Sequence, residues 1–157
     1  MKLDDCINLD DLRKVAKQRV PKLIYDFIEG GSEDESGLVR NEDAFRNRAL
    51  VPRYMVDISS INQDTELFGR TYSSAYGIAP TGGISNYRHK GDLMLARAAR
   101  DANIPFIMSG AATARMEDMA REAPDHGWYQ LYTAKDRAIA DDQVKRAADL
   151  GIQTLVI

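Results

Sequence analysis

The second half of the chain repeats one pattern of apolar and polar positions. From Tyr72 onward, short apolar runs of strand length alternate with stretches in which apolar residues recur at helical spacing. The runs start 24 to 28 residues apart and cover residues 76–80, 104–109, 128–132 and 154–157. A strand followed by a helix at a nearly constant period predicts βα units and a parallel sheet. Such a sheet is buried on both faces, which explains why the predicted strands are almost continuously apolar.

Polar residues at the edges of the intervening stretches predict where their helices begin and end. Asp92 and Asp136 each precede a helical pattern and are predicted to be N-caps. Thr113 precedes a third pattern that contains Met116, and Gly151 is predicted to end the last helix. We therefore expect one helix between each pair of neighbouring strands.

The first half of the chain predicts helices without strands. Asn8 can cap a first helix, and Pro21 suits the first turn of a second helix, which Gly30 and Gly31 end. In this second helix Tyr25 is predicted to lie on the rim of an apolar face formed by Leu23, Ile24, Phe27 and Ile28. Residues 32–48 are predicted to contain a third helix, and residues 52–69 an irregular connection with short extended pieces.

Two folds are compatible with the βα pattern: an open doubly wound sheet, or part of a (β/α)8 barrel. The open sheet predicts a glycine fingerprint after its first strand, but residues 79–83 read Ala-Pro-Thr-Gly-Gly. Polar residues stand instead at the carboxyl ends of the next two strands, namely Ser109, Gln130 and Tyr132. In a (β/α)8 barrel these ends form the face that holds the ligand. The polar ends therefore favour the barrel.

The length of the chain indicates an incomplete barrel. A (β/α)8 barrel usually takes about 250 residues, whereas this chain has 157 residues and four predicted strands. The fold class we predict is α/β, a (β/α)8 TIM barrel of which the N-terminal helices and about the first four strands are present. We predict that residues 1–70 form a helical region and connection, and that residues 71–157 form the first half of the barrel, ending in the fourth strand.

Composition and charge narrow the classes of partner. Lys and Arg number 21 against 24 Asp and Glu, a net charge of −3, with no basic block, so nucleic acid is not an expected partner. Cys6 is the only cysteine, which rules out an intramolecular disulfide and a cysteine-based metal site within one chain. No metal site is expected. The longest apolar stretch, residues 104–108, is far shorter than the ~20 residues of a membrane span, and no signal peptide precedes the first helix. We expect a cytoplasmic protein.

Four segments together carry a family resemblance. They begin with Tyr25-Asp-Phe-Ile-Glu-Gly-Gly-Ser-Glu-Asp-Glu and continue with Ala79-Pro-Thr-Gly, Pro105-Phe-Ile-Met-Ser and Trp128-Tyr-Gln-Leu-Tyr, the last followed by Asp136-Arg137. In this order and spacing they resemble the FMN-dependent 2-hydroxy-acid dehydrogenase and oxidase family, which includes glycolate oxidase, the flavin L-lactate dehydrogenases and (S)-mandelate dehydrogenase. Residues 19–31 look most like the mandelate dehydrogenase branch. The resemblance implies oxidation of a small L-2-hydroxy acid of the lactate, glycolate or mandelate type to the 2-oxo acid, with FMN as cofactor.

The resemblance also implies roles for individual residues. The backbone of Pro80, Thr81 and Gly82 would run along the flavin ring, Ser109 would reach its N5/O4 edge, and Gln130 would bond its pyrimidine end. Tyr25 would bind the substrate carboxylate, and Tyr132 the hydroxyl or carboxylate. Fixed donors and acceptors along the polar edge of a flavin orient the cofactor and tune it, and a phenol can donate to a carboxylate. Gly82 stands where oxygen-using members often have Ala, which suggests a dehydrogenase.

Parts of the family's site are absent from this chain according to the same resemblance. The catalytic His base, its Arg partners, a Lys beside the flavin and the phosphate-binding loops would follow residue 157, so no catalytic residue is assigned here and the 157 residues alone are predicted to be inactive. The electron acceptor (quinone, respiratory chain or oxygen) stays open. We expect the full-length protein to be a homo-oligomer, and peripheral attachment to the inner face of a membrane is left open for it.

Structural explanations compete with these functional assignments. Ser109 and Thr81 could be helix-approach caps, whereas Gln130 in an apolar strand needs partners because an unpartnered buried amide costs about 1–3 kcal/mol. His89 and His126 are predicted to be ordinary surface histidines. For the whole chain, the alternatives are a non-catalytic remnant that binds flavin weakly or associates through its sheet edges, and a barrel similar to the flavin-dependent isopentenyl diphosphate isomerase, which would not account for both Tyr25 and Tyr132.

Overall fold

The computed structural model describes residues 2–157, which divide into a unit ending at Ser60 and a second unit, Ile61–Ile157. The first unit contains a short 3-10 helix, Leu3–Asp5, and three α-helices: α1 (Leu9–Arg19), α2 (Lys22–Glu29) and α3 (Ser36–Arg46). Asn8 caps α1 by accepting a hydrogen bond from the Asp11 backbone nitrogen at 2.8 Å. Gly30 follows the last residue of α2. The three helices predicted for this region are confirmed.

The buried side of α2 differs from the prediction. Tyr25, predicted at the rim of the apolar face, is 8% exposed, whereas Leu23 and Phe27 of that face are 81% and 78% exposed, so the buried side of α2 is the Tyr25 side. The reason is that the Tyr25 side of α2 lies toward α1, where the Lys17 ammonium stands 6.0 Å from the centre of the tyrosine ring. Within this unit α2 turns a polar-tipped aromatic residue inward and an apolar stripe outward.

The second unit begins with a hairpin that the sequence pattern did not predict. Strands β1 (Thr65–Leu67) and β2 (Arg70–Tyr72) pair antiparallel and are joined by Phe68 and Gly69. Both joining residues have positive φ, 51° and 78°, as tight two-residue hairpin turns require. Glycine adopts such angles without steric cost, whereas Phe68 does so only because the pairing on either side holds it there.

A parallel sheet follows, with its strands in chain order. It consists of β3 (Phe106–Met108), β4 (Gly127–Gln130) and β5 (Leu155–Val156), and Ile78 adds a parallel bridge to Phe106 on the outer side of β3. The first predicted strand is therefore reduced to one bridge, and the other three are confirmed. Helices α4 (Gly91–Asp101), α5 (Met116–Glu122) and α6 (Arg137–Asp149) form the crossovers between them, and a short 3-10 helix, Ile84–Asn86, precedes α4.

The core of this unit lies between the strands and their helices. Its buried cluster combines side chains of β3 and β4 with small residues and methionines of the helices: Ala96, Ala99, Phe106, Met108, Met116, Met119, Ala123, Tyr129, Leu131, Ala147 and Ile152. The strands are covered by helices as expected of βα units, and the fold class is α/β. The described residues form an open sheet and not a closed barrel. Among residues 2–157, no helix combines the length and apolar character that a bilayer span requires.

The two predicted aspartate caps have different outcomes. Asp136 caps α6 by accepting from the Ala138 backbone nitrogen at 2.9 Å, as predicted. The prediction for Asp92 is wrong, because Lys90 occupies the N-cap position of α4 and Asp92 lies inside its first turn, 1% exposed. The side chain of Asp92 turns inward to accept from the Thr113 hydroxyl at 2.7 Å.

Candidate functional site

Gln130 and Ser109 meet at the carboxyl ends of β4 and β3. Both side chains are buried. The Gln130 Oε1 atom accepts from the Ser109 hydroxyl at 3.3 Å and from the Gly110 backbone nitrogen at 3.1 Å. Ser109 Oγ in turn accepts from the Ala111 backbone nitrogen at 3.1 Å. Parallel neighbouring strands place their ends at one edge of the sheet, which is why two residues 21 positions apart come into contact.

The Gln130 amide is only half used by the protein. Its oxygen is engaged by two donors, but no hydrogen bond within residues 2–157 uses its nitrogen. An amide nitrogen carries two N–H donors. Because the bonds at the oxygen fix the orientation of the amide, both donors are directed away from Ser109 and are free for a ligand.

Gly110 lets the loop after β3 lie directly against the end of β4. A Cβ at this position would stand 2.8 Å from the Gln130 carbonyl oxygen and 3.1 Å from Tyr132 Cδ2. Both distances are shorter than ordinary van der Waals contact, so any side chain here would displace the loop. Gly110 is not among the predicted site residues, although a glycine directly after a strand is a signal of close backbone approach.

The loop that contains Pro80, Thr81 and Gly82 lies beside the loop after β3. The Gly83 backbone nitrogen donates to the Ala111 carbonyl oxygen at 3.2 Å, and a Cβ on Gly82 would stand 3.1 Å from Ala111 Cβ. Pro80 and Gly82 are partly buried and Thr81 is exposed. Three successive strand ends therefore place their loops side by side, and six of the seven predicted site residues lie on them: Pro80, Thr81, Gly82, Ser109, Gln130 and Tyr132.

Tyr132 stands at the rim of this edge. It follows β4 by two residues, its ring adjoins Gly110, and it is 63% exposed. An exposed phenol next to close-packed backbone is available to a ligand both as a hydrogen-bond donor and as an apolar wall.

The seventh predicted site residue, Tyr25, belongs to the first unit. It lies next to an ion pair between Arg13 and Glu29, whose closest atoms are 2.6 Å apart. Burial, followed by hydrogen bonding to Glu29, raises the pKa of the Tyr25 phenol above its usual value of 10.0. The hydroxyl carries its proton at neutral pH, and Glu29 is the neighbouring acceptor. Its contact with a substrate stays a prediction.

The expectation that both histidines lie at the surface is half correct. His89 is exposed, but His126 is buried at the opposite end of the sheet, where its Nε2 atom stands 3.0 Å from Arg70 Nη2. Within residues 2–157, no group of three or more His, Cys, Asp or Glu side chains could hold a metal ion. The chemistry that the described part of the carboxyl edge offers is hydrogen bonding by amide, hydroxyl and backbone groups.

Comparisons with known proteins bear on this arrangement. The family model described as FMN-dependent dehydrogenase matches residues 16–157. The chain is 41% identical over 150 residues to the (S)-mandelate dehydrogenase of Pseudomonas putida, a match covering 96% of this chain and 38% of that protein. It is 36% identical over 157 residues to a 2-hydroxyacid oxidase of Dictyostelium discoideum, covering 99% of this chain and 40% of that protein.

Solved structures give the same result for the fold. A soluble mutant of the membrane-associated (S)-mandelate dehydrogenase of Pseudomonas putida superimposes with a TM-score of 0.88 at 41% identity, covering 96% of this chain and 43% of that one. A mandelate oxidase superimposes with a TM-score of 0.88 at 32% identity, covering 96% and 44%. These neighbours are TIM-barrel flavoenzymes, so the predicted barrel class is confirmed, and this chain spans about two fifths of their length.

Proposed function

Because the chain belongs to the FMN-dependent dehydrogenase family, we propose that it forms the N-terminal part of an enzyme that oxidises a small L-2-hydroxy acid to the 2-oxo acid. FMN is the cofactor of this family. The observation that carries the proposal is the joining of Ser109, Gly110 and Gln130 at the carboxyl edge, which leaves the Gln130 amide nitrogen free. The relatives named above are a mandelate dehydrogenase and a hydroxyacid oxidase, which supports a 2-hydroxy acid as the substrate class.

The residues present fit the polar edge of a flavin. A Cβ at Gly110 would stand 2.8 Å from the Gln130 carbonyl oxygen, and a Cβ at Gly82 would stand 3.1 Å from Ala111 Cβ, so the two loops lie close to their neighbours at these glycines. We propose that Pro80, Thr81 and Gly82 line the ring, that Ser109 contacts its N5/O4 edge and that the Gln130 amide donates at its pyrimidine end. When bound, FMN supplies the electron acceptor for oxidation of the substrate.

Two tyrosines are proposed to hold the substrate. Tyr132 offers an exposed phenol beside the loop that would contact the flavin. Tyr25 offers a second phenol, next to the Arg13–Glu29 ion pair. Each O–H can donate to a carboxylate or a hydroxyl oxygen of a hydroxy acid, and each ring can exclude water from one side of it.

The base and the cation for the substrate carboxylate are proposed to come from outside these residues. The resemblance places a His and Arg residues in the second half of the barrel, and this chain covers 38% of the matched mandelate dehydrogenase. We therefore propose that the 157 residues alone neither turn over hydroxy acids nor hold FMN tightly. A cytoplasmic location, peripheral membrane attachment and a homo-oligomeric state of the full-length protein also remain proposals. The relatives themselves differ, being described as membrane-associated in Pseudomonas putida and peroxisomal in rice.

A chimera tests the proposed function directly. It joins this chain, through Ile157, to the part of the Pseudomonas putida (S)-mandelate dehydrogenase that follows the matched region. We expect the purified chimera to carry FMN in a 1:1 ratio and to reduce a dye with mandelate, and the 157-residue chain alone to do neither. Folding of both proteins is checked by circular dichroism. A folded chimera without flavin would contradict the proposed function, and stoichiometric flavin on the chain alone would contradict its proposed inactivity.

Substitution of Tyr132 tests its proposed role within that chimera. Tyr132→Phe removes one hydroxyl and keeps the ring, so we expect lower turnover of mandelate with FMN content unchanged. Tyr76→Phe is the matched control, because Tyr76 is also exposed but stands before Ile78, whose bridge to Phe106 begins the sheet, and not at a carboxyl strand end. Loss of flavin with residual turnover unaffected would show that Tyr132 serves the cofactor and not the substrate.

A second candidate function is a non-catalytic module that associates with another chain. Strand β5 supports it, because within residues 2–157 this strand pairs only with β4 and its other edge is free. A free strand edge is a template for pairing. Sedimentation of the 157-residue chain and the flavin content of the chimera together distinguish the two candidates: stable self-association of the chain combined with a folded chimera that carries no flavin would favour the module.

A further inference from the structure

Asp92 is a buried acidic residue whose hydrogen-bond partner, Thr113, lies in a different part of the chain, in the loop after β3. It lies in the first turn of α4, and within the described residues no Lys or Arg forms an ion pair with it. Its Oδ2 atom accepts from the Thr113 hydroxyl at 2.7 Å. Burial of a carboxyl group is costly unless it is hydrogen-bonded, and the first turn of a helix favours negative charge. The start of α4 and the Thr113 hydroxyl together therefore stabilise the buried carboxyl group of Asp92.

Thr113 also connects to the loop that precedes α4. Its Oγ1 atom accepts from the Ser85 backbone nitrogen at 3.3 Å while its hydroxyl hydrogen is donated to Asp92. Ser85 lies in the 3-10 helix that follows Gly83. A single hydroxyl thus joins three elements: the 3-10 helix, the loop after β3 and α4.

Close packing supports the same junction. A Cβ on Gly91 would stand 2.4 Å from Ile84 Cγ2, so the 3-10 helix lies directly on the start of α4. The Gly83 backbone nitrogen donates to Ala111 O at 3.2 Å, two residues before Thr113. The loop of Gly82 and the loop of Ser109 are therefore bonded to each other at two points, and α4 is the common support.

Helix capping does not account for Asp92. Asp136 shows what a capping aspartate does in this chain, because it accepts from a backbone nitrogen of its own helix. Asp92 lies two residues inside α4 and accepts instead from a side chain 21 residues away. Its hydrogen bond therefore fixes the position of another loop.

We propose that Asp92 is a positioning residue for the cofactor: through Thr113 it sets the spacing between the loop of Pro80, Thr81 and Gly82 and the loop of Ser109. This inference rests on the proposed function. Neither Asp92 nor Thr113 is assigned a contact with FMN. Their effect passes through the backbone of the two loops, and along the Ala111, Ser109 and Gln130 hydrogen bonds to the end of β4.

Hydrogen exchange in the 157-residue chain tests the coupling without flavin. Thr113→Val keeps the shape of the side chain and removes the hydroxyl, whereas Thr113→Ser keeps the hydroxyl. For Thr113→Val we expect the amides in residues 83–86 to exchange about five- to tenfold faster, because the substitution removes one hydrogen bond that holds this segment. Thr113→Ser should exchange like the unsubstituted chain, and so should Thr71→Val, which changes an exposed threonine of β2. Unchanged exchange in Thr113→Val would overturn the coupling.

Flavin binding in the chimera tests the positioning role. Thr113→Val and Asp92→Asn should raise the Kd for FMN about fivefold, in proportion to one weakened hydrogen bond, and should change the visible circular dichroism of the bound flavin. Thr113→Ser, which keeps the hydroxyl, should show the Kd for FMN and the flavin circular dichroism of the unsubstituted chimera. A purely structural role predicts a lower Tm with an unchanged Kd and an unchanged flavin spectrum, and that result would overturn the proposal.

The two measurements separate failure of this inference from failure of the proposed function. If the unsubstituted chimera binds no FMN, the proposed function fails, and the positioning role fails with it, whatever the exchange data show about the loops. If the chimera binds FMN and the exchange or the Kd is insensitive to Thr113→Val, the proposed function stands and the role of Asp92 is overturned.

Discussion

At the carboxyl ends of β3 and β4, polar groups bond to one another across loops, whereas at the amino ends the aromatic rings of the β1–β2 hairpin pack against Trp128. Trp128, at the start of β4, donates from Nε1 to the Tyr72 hydroxyl at 3.2 Å and meets the Phe68 ring edge-on, with 5.2 Å between ring centres. Arg70 lies over the Tyr72 ring at 5.5 Å. The carboxyl end has no comparable aromatic cover in the described residues.

The difference shows that cavity size does not mark the candidate site. A cavity of about 250 Å³ lies at the amino end, bounded by Phe68, Arg70 and Trp128 among others, whereas the cavity that adjoins Ser109 and Gly110 measures about 170 Å³. At the carboxyl end the informative features are the Gln130 amide, whose nitrogen has no hydrogen bond within residues 2–157, and Gly110, where a Cβ would meet backbone at 2.8 Å. In barrels the carboxyl face carries function and the amino face stability. Substitutions at the two ends should therefore have separable effects.

The largest expected effect is on stability at the amino end. Tyr72 is 2% exposed and supports Trp128, Arg70 and His126. Tyr72→Ala should lower the free energy of unfolding by about 3–5 kcal/mol, the usual cost of truncating a buried aromatic residue. Urea denaturation of the 157-residue chain measures the change.

Tyr76 provides the matched control for this substitution. It is 78% exposed, so Tyr76→Ala should change the free energy of unfolding by no more than about 0.5 kcal/mol. In the chimera, Tyr72→Ala should leave the Kd for FMN unchanged at temperatures where the protein is folded. If Tyr72→Ala also raises the Kd for FMN, the amino end affects the cofactor as well as stability, and the distinction between the two ends fails.

A smaller loss of stability is expected at the carboxyl end, accompanied by loss of flavin. Gly110→Ala would place a methyl group 2.8 Å from the Gln130 carbonyl oxygen. Because the obstructing atom belongs to the backbone, the loop must shift, at a cost of about 2–3 kcal/mol. FMN content of the chimera and urea denaturation of the chain are the two measurements.

A glycine in open space separates the steric cause from a general effect of glycine replacement. Gly37 lies in α3, and a Cβ there would meet nothing within 4 Å. Gly37→Ala should stabilise the chain by up to about 1 kcal/mol, since alanine favours a helix. If Gly110→Ala is as stable as Gly37→Ala and keeps its flavin, the close approach at Gly110 has no functional importance.

The sequence pattern predicted the carboxyl end better than the amino end. The spacing of the strands and the polar residues that end each strand can be recognised in short stretches of sequence. They therefore predicted that Ser109 and Gln130 lie at one edge of the sheet. The hairpin escaped prediction because Thr65–Leu67 and Arg70–Tyr72 are three-residue strands, too short to show a period.

Burial of polar residues depended on partners far away in the chain. His126 was expected at the surface, but Arg70, 56 residues earlier, approaches its ring at 3.0 Å. Asp92 was expected to cap its own helix, but Thr113 offers it a hydroxyl across the loops. Tyr25 was placed on a rim because helical geometry gives an angle around the axis and does not show which side meets α1. Each error concerned a contact that periodicity does not encode.

A further prediction isolates the hydrogen bonds at the carboxyl end. Gln130→Leu keeps a buried side chain of similar size but leaves the Ser109 hydroxyl and the Gly110 nitrogen without their acceptor. We expect a loss of about 1–2 kcal/mol in the free energy of unfolding and about a fivefold rise in the Kd for FMN of the chimera. Gln63→Leu, at an exposed position, is the control and should leave both values unchanged. Full FMN affinity in Gln130→Leu would contradict its assignment to the cofactor.

The smallest expected effect is a dependence of stability on pH at the amino end. Burial, and then the positive charge of Arg70, lowers the pKa of His126 below its usual value of 6.5, with Arg100 acting in the same direction and Asp125 against it. The Nε2 atom of His126 stands 3.0 Å from Arg70 Nη2, which can only donate, and 3.2 Å from Asn103 Oδ1, which can only accept. Burial, together with the charge of Arg70, is what disfavours the protonated ring in the folded chain. Protonation would place a second positive charge beside the Arg70 guanidinium.

The sign of the effect follows from the protons bound in each state. Because the unfolded chain binds a proton near pH 6.5 and the folded chain only at lower pH, the stabilisation is complete above about pH 6.5 and is lost as the pH falls from there through the lowered pKa of the folded state. His126→Gln should flatten this part of the pH profile of urea denaturation, whereas His89→Gln, at an exposed position, should keep it. An identical slope in both variants would assign the pH dependence to other groups and leave the amino end without a titrating residue.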